Sequence, residues 1–201
     1  MRILVFCGHH FGKHPQVITA MHDIGQGIGQ RKWTLIYGGS DVGLMGTVAT
    51  ATISHGGTVI GIIPPLIENN GEKPLEALRQ PPHQLIIAKD MPDRKARMFE
   101  RADAIVSGPG GPGMRDEFWE AVTYVDIGGN RLPNVAFNAY GRLDHLERDF
   151  DLSIDDGYTN PACKPPFVTS VEHVFSILDR IALSGGQNVI PISGQALKAA
   201  R

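Results

Sequence analysis

The sequence predicts an α/β fold in which one parallel sheet is covered by helices on both faces. Three observations predict it. Short apolar runs recur along the chain, stretches with helical spacing separate them, and glycines cluster directly after the runs. A short unbroken apolar run suits a strand buried on both sides, as parallel sheets require. The chain has 201 residues, 42% of them hydrophobic, enough for a single domain with a well-buried core.

The elements follow in order. RILVFC (2 to 7) reads as the first strand and ends at Gly8. Residues 15 to 31 place Val17, Ile18, Met21, Ile24 and Ile28 on one helical face. TLIYGG (34 to 39) is a second strand, residues 43 to 55 suit a helix, and TVIGIIP (58 to 64) is a third strand. The proline-rich stretch 64 to 82 reads as a long surface excursion. QLIIA (84 to 88) and AIVSG (104 to 108) are strands flanking a helix whose N-cap is Asp90, with Pro92 and Asp93 in its first turn. A helix follows Gly113, and NVAFN (134 to 138) is a sixth strand. The last helix opens with a capping box, Thr169 with Glu172, and carries the stripe Val171, Val174, Phe175, Leu178 and Ala182. Right-handed crossovers then give a Rossmann-like doubly wound sheet, three layers deep in the order α/β/α. The domain is expected over 1 to 183, with 184 to 201 a C-terminal tail of no strong pattern.

Composition narrows the function classes. A formal net charge of −2 argues against nucleic acid or an anionic membrane as partner. No apolar run approaches the ~20 residues of a membrane span, and no secretory leader pattern opens the chain, so a cytoplasmic setting is expected. The two cysteines, Cys7 and Cys163, read as free thiols. The eight histidines form no tight cluster of metal-ligand spacing, so no metal is expected.

Ligands of such a fold bind at the carboxyl ends of the strands. Two glycine-rich loops fall there, each directly before a helix. One is GGSDVGLMG (38 to 46), and the other is PGGPG (109 to 113). A helix N-terminus offers unpaired N–H groups and a partial positive charge, and glycines let backbone approach a phosphate. The bland alternative is a pair of tight strand-to-helix turns. Neither loop has the Walker Gly-Lys-Ser/Thr ending or a clean G-x-G-x-x-G, so NAD is disfavoured. Glu117 and Glu120 sit three apart on one helix face after the second loop. Acids there either serve a ligand or merely offset the helix dipole. Arg94 and Arg97 sit likewise one turn apart, as a ligand contact or as a solvated basic face.

YGGSDVGLMG (37 to 46), MPDRKARM (91 to 98) and PGGPGMRDE (109 to 117) resemble the three blocks of the LONELY GUY (LOG) family. Its members are cytokinin riboside 5′-monophosphate phosphoribohydrolases, long mislabelled lysine decarboxylases. The resemblance covers roughly residues 2 to 180. It implies catalytic roles for Arg94 and Glu117. It implies substrate contacts from Gly39, Gly43, Lys95, Gly110, Gly111, Gly113, Met114 and Glu120, and a homodimer with its active sites near the interface. Two departures stand out. Met114 replaces the family's usual threonine, and a thioether cannot donate a hydrogen bond as a hydroxyl can. His9 and His10 replace small hydroxyl residues after the first Cys-Gly.

The activity implied is hydrolysis of the N-glycosidic bond of a nucleoside 5′-monophosphate, with cytokinin riboside 5′-monophosphate or AMP as substrate. The products are free base and ribose 5-phosphate, and no cofactor is required. The transition state is oxocarbenium-like, and Glu117 would stabilise its charge and orient water while Arg94 holds phosphate or ribose. The rival from another class is a carrier of nucleotide or molybdenum cofactor on the same fold. The decarboxylase label finds no support, because Lys89 and Lys95 lack the context of a Schiff-base lysine.

Overall fold

The computed structural model describes residues 1–69, 71–129 and 132–184. The six expected strands are present: β1 (Arg2–Phe6), β2 (Thr34–Tyr37), β3 (Thr58–Ile63), β4 (Gln84–Ile87), β5 (Ala104–Ser107) and β6 (Asn134–Phe137). A seventh, β7 (Phe167–Val168), extends the sheet. The strand order is β4-β3-β2-β1-β5-β6-β7, and every pairing is parallel.

Alternate residues of each strand point to opposite faces. From β1, Ile3 and Val5 enter one core, with α1 (Pro15–Gln30), α2 (Gly43–Ser54) and α7 (Val171–Leu183) over it. Leu4 and Phe6 enter the other, beneath α4 (Met91–Arg101), α5 (Pro112–Asp126) and α6 (Asp144–Asp155). The result is the doubly wound three-layer sheet expected from sequence. The helix after β1 covers one face and the helix after β5 covers the other, although these strands are neighbours. That reversal opens a crevice at their carboxyl ends, the ligand-binding position of such sheets.

The structure moves several details. Ser170, one residue beyond the expected Thr169, caps α7: its Oγ accepts from His173 N at 3.2 Å. The buried stripe of α7 is Val174, Phe175, Ile177, Leu178 and Ile181, while Ala182 is exposed. Helix α6 has no counterpart in the sequence reading, because only Leu146 and Phe150 of its twelve residues are buried. Asp90 caps α4 as expected, its Oδ1 accepting from Asp93 N at 2.9 Å. The excursion from 64 to 82 forms a short helix α3 (Pro65–Asn69) and a 3₁₀ turn (Glu76–Arg79). It folds back on the first glycine loop, with Asp41 N bonded to Lys73 O at 3.0 Å and Leu75 N to Gly39 O at 3.1 Å. The expected tail falls almost wholly outside the described residues; Ser184 ends α7.

Candidate active site

Arg94 lies in the first turn of α4, and its side chain is buried under the ends of β2 and β3. Its Nε donates to Ile62 O at 3.1 Å and its Nη2 to Gly38 O at 3.3 Å. A Cβ on residue 38 would sit 2.0 Å from Nη2, so glycine there is a requirement of the arginine. Two carbonyls thus fix the guanidinium, and Nη1 is left to reach Glu117 Oε1 at 3.5 Å.

Glu117 projects from the second turn of α5 and is only 8% exposed. Burial raises its carboxyl, partly offset by the Arg94 charge, to about 7. Asp116 and Glu120 add to the rise, and Lys95 opposes it. A carboxyl poised near neutrality can hold or release a proton under working conditions, as acid–base chemistry requires. Cys7, at the end of β1, feels the Glu117 charge as well, but burial is the main reason its thiol stays protonated.

The glycine turn after β5 leads into α5. Arg115 N bonds Gly111 O at 3.2 Å, while the amides of Gly111, Gly113 and Met114 donate to no carbonyl among the described residues. Added Cβ atoms at Gly111 and Gly113 would meet nothing within 4 Å. This helix start therefore offers free N–H groups beside open space, the requirement for an anion. Gly110 is crowded instead, a Cβ there lying 2.6 Å from that of Met114. The Met114 side chain is 3% exposed and packs in the core with Phe118. Its thioether takes no part in the turn; its backbone amide does.

The first glycine loop is built differently. Leu44 N and Met45 N, in the first turn of α2, donate to Gly8 O at 3.0 and 3.3 Å. Gly43 has φ +60°, and a Cβ there would lie 2.1 Å from His9 O. Gly39, at φ +85°, carries the bond to Leu75. His9 and His10 stand exposed at the rim, with ring centroids 3.9 Å apart.

Lys95 does not point freely at the turn. Its Nζ lies 3.0 Å from Asp116 Oδ2 and 2.6 Å from Glu120 Oε2. Arg97 turns away and pairs with Asp93 at 2.8 Å. Beside Lys95 and Glu120 lies an open cleft of about 640 Å³, walled by Trp119, Thr123 and Tyr124. The structure thus joins Arg94, Glu117, Lys95 and Glu120 through ion pairs, and ties Gly39 and Gly43 to their own chain. The sequence reading named Gly8 as a strand end and Gly38 as part of the first glycine loop, but assigned no role to the backbone carbonyls of Gly8, Gly38 or Ile62. Only the glycines left a signal, as small residues after apolar runs.

Residues 45–181 match a family model described as possible lysine decarboxylase. Cytokinin riboside 5′-monophosphate phosphoribohydrolase LOG7 of Arabidopsis thaliana is 35% identical over 170 residues, covering 84% of this chain and 76% of the relative. A cytokinin riboside 5′-monophosphate phosphoribohydrolase of Rhodococcoides fascians is 35% identical over 162 residues, covering 81% and 80%. The chain belongs to the LOG family. The LOG blocks quoted from the sequence fall on the β2–α2 loop, on α4 and on the β5–α5 turn, which are the parts that build this crevice. The molybdenum cofactor carrier protein of Chlamydomonas reinhardtii superposes with TM-score 0.66 at 18% identity, over 90% of this chain and 98% of that one. A molybdenum cofactor binding protein of Rippkaea orientalis gives 0.64 at 19%, over 90% and 96%. These two share the fold with the LOG chain. Among the described residues no group of three or more His, Cys, Asp or Glu is placed to hold a metal, and no helix is long and apolar enough to cross a membrane.

Proposed function

We propose that this LOG-family protein hydrolyses the N-glycosidic bond of a nucleoside 5′-monophosphate, cytokinin riboside 5′-monophosphate or AMP, to free base and ribose 5-phosphate. One observation carries the reading: a buried carboxyl near neutrality, Glu117, stands one helical turn behind an open helix start, Gly111 to Met114. The phosphate binds the free amides of α5, and the helix dipole favours its charge. One turn, ~5.4 Å along the axis, then places Glu117 beside the sugar and away from the phosphate. As the C1′–N bond breaks, its electron pair leaves with the base and positive charge grows on the ribose. Ionised Glu117 stabilises that charge and takes a proton from the water whose oxygen bonds C1′, and that proton passes on to the departing nitrogen, so that the base leaves neutral. Arg94 keeps the carboxylate ionised in a buried site that would otherwise protonate it.

The same fold serves cofactor carriers, and a carrier needs the anion turn as well. It has no need of a buried acid paired with a buried arginine, so that pair favours the enzyme. We further propose a homodimer across the α5 face, where Ile127 is 71% exposed and Tyr124 36% beside the Trp119 cleft. Incubation with a panel of nucleoside monophosphates, followed by chromatography of free base, tests the activity. Base release from AMP or a cytokinin nucleotide is expected; tight binding without release from any monophosphate would favour the carrier. Light scattering at micromolar concentration tests the dimer, and a monomeric mass would remove it.

A further inference from the structure

Helix α5 brings three carboxylates to the site within two turns: Asp116, Glu117 and Glu120. Helix α4 meets them with two adjacent cations, Arg94 and Lys95. The pairing is divided. Arg94 spends two of its nitrogens on carbonyls and reaches Glu117 with the third, at 3.5 Å. Lys95 meets the other two acids, at 3.0 Å from Asp116 and 2.6 Å from Glu120, and its own charge is strengthened. Partial burial of the ammonium works against its charge, and these two partners outweigh that.

The charged groups felt by Glu117 are Arg94 and Lys95 on α4 and Asp116 and Glu120 on α5, and the buried Cys7 thiol just after β1 feels the Glu117 charge in turn. Without Lys95, two negative charges would flank Glu117 against the single, long contact to Arg94. We propose that Lys95 is a positioning residue: by neutralising Asp116 and Glu120 on either side of Glu117, it lets Glu117 be ionised at neutral pH. This rests on the catalytic role proposed for Glu117. It moves Lys95 from substrate contact to control of the carboxylate. Both oxygen partners lie on α5, so the same pairs also hold α4 against the helix that carries Glu117.

Two readouts test it. The first is the carboxyl ¹³C titration of glutamate-labelled protein, with Glu117 assigned by its loss in Glu117→Gln. It needs no substrate, so it stands even if no monophosphate is cleaved. The second is the pH profile of kcat with AMP. Lys95→Met should move the Glu117 midpoint upward by about one pH unit, the low end of what a nearby charge does. The rising limb of kcat should move with it, while KM changes little. Glu120→Gln should move the midpoint the other way, and Lys95→Arg should restore the wild-type value. Should Lys95→Met fail to fold, the last two variants decide between the roles by themselves. An unmoved midpoint with a raised KM in Lys95→Met would make Lys95 a substrate contact and overturn the proposal. So would an unmoved midpoint in Glu120→Gln.

Discussion

Helices α2 and α5 both start from glycine-rich turns at the carboxyl edge of the sheet, yet one start is closed and the other open. At α2, the carbonyl of Gly8 takes the amides of Leu44 and Met45, and the His9 carbonyl fills the space above Gly43. At α5, the amides of Gly111, Gly113 and Met114 find no carbonyl among the described residues, and a Cβ at Gly111 or Gly113 would meet nothing within 4 Å. Glycines thus have two opposite uses at a helix start. They let a neighbouring backbone come close enough to cap the helix, or they leave room for a ligand to do it. Both turns are rich in glycine; the path of an adjacent loop decides.

The sharpest way to break this comparison is to disable the open side. Glu117→Gln should cut base release by a factor on the order of 10² or more, with the fold intact. It should also melt higher than wild type, with a wider gap at pH 8 than at pH 5. The sign follows from the raised carboxyl: it holds its proton longer folded than unfolded, so wild-type stability falls as pH rises from the unfolded value toward about 7. Wild-type turnover in the variant, or a gap that closes at pH 8, would contradict the role or the burial respectively.

Next, a substrate without the 5′-phosphate forgoes the free amides. Adenosine should be cleaved roughly 10²-fold less efficiently than AMP, the scale of one or two hydrogen bonds to a charged group. Equal kcat/KM for the two would mean that α5 caps nothing.

Glycine-to-alanine substitutions should then divide the two starts. Gly43→Ala meets both a positive φ and a carbonyl 2.1 Å from the new methyl, and should cost about 1–3 kcal/mol of stability. Gly113→Ala meets nothing within 4 Å and sits in a helix, so stability should hold or rise by up to about 1 kcal/mol. Its KM for AMP should rise about tenfold, as if one charged hydrogen bond were lost. Denaturant melts and steady-state kinetics on both variants would show whether the division holds.

The smallest effect on catalysis concerns Met114. The threonine usual in the family at this position suggests that Met114→Thr would supply a phosphate donor. The buried thioether argues otherwise: the substitution should lose about 1–3 kcal/mol through a cavity and a buried hydroxyl, with no gain in kcat/KM. A gain in turnover with several monophosphates would put the side chain of residue 114 back at the ligand.

The fold was legible where strands were long enough to show a pattern. Six apolar runs marked six strands, but β7 has two residues behind Pro165 and Pro166, too few for any periodicity. Helix α6 hid because its acidic residues outnumber its buried ones. The Thr169–Ser170 pair offers two adjacent hydroxyls for the cap, and the expected stripe through Val171 and Ala182 gives way to Ile177 and Ile181. At the site, Arg94 and Glu117 were legible through their motifs, because side chains are what a sequence records. The groups that hold them in place, the carbonyls of Gly38 and Ile62, belong to every residue alike and leave no trace in composition. Gly8 was visible as the glycine that ends the first strand, but its carbonyl was not visible as the cap of α2.

Gly8 carries a consequence for how such a protein can diversify. Its amide bonds Pro109 O at 2.9 Å, and its carbonyl caps α2. One residue therefore pins both glycine loops to the central strand, and neither can be remodelled without disturbing the other. The floor of the crevice is in this sense frozen. Variation has room only on the walls, where exposed side chains such as His9 and His10 answer to nothing beneath them. If the proposed activity holds, a lineage built on this floor can exchange the bases it accepts by changing its rim, while the anion that anchors them stays the same.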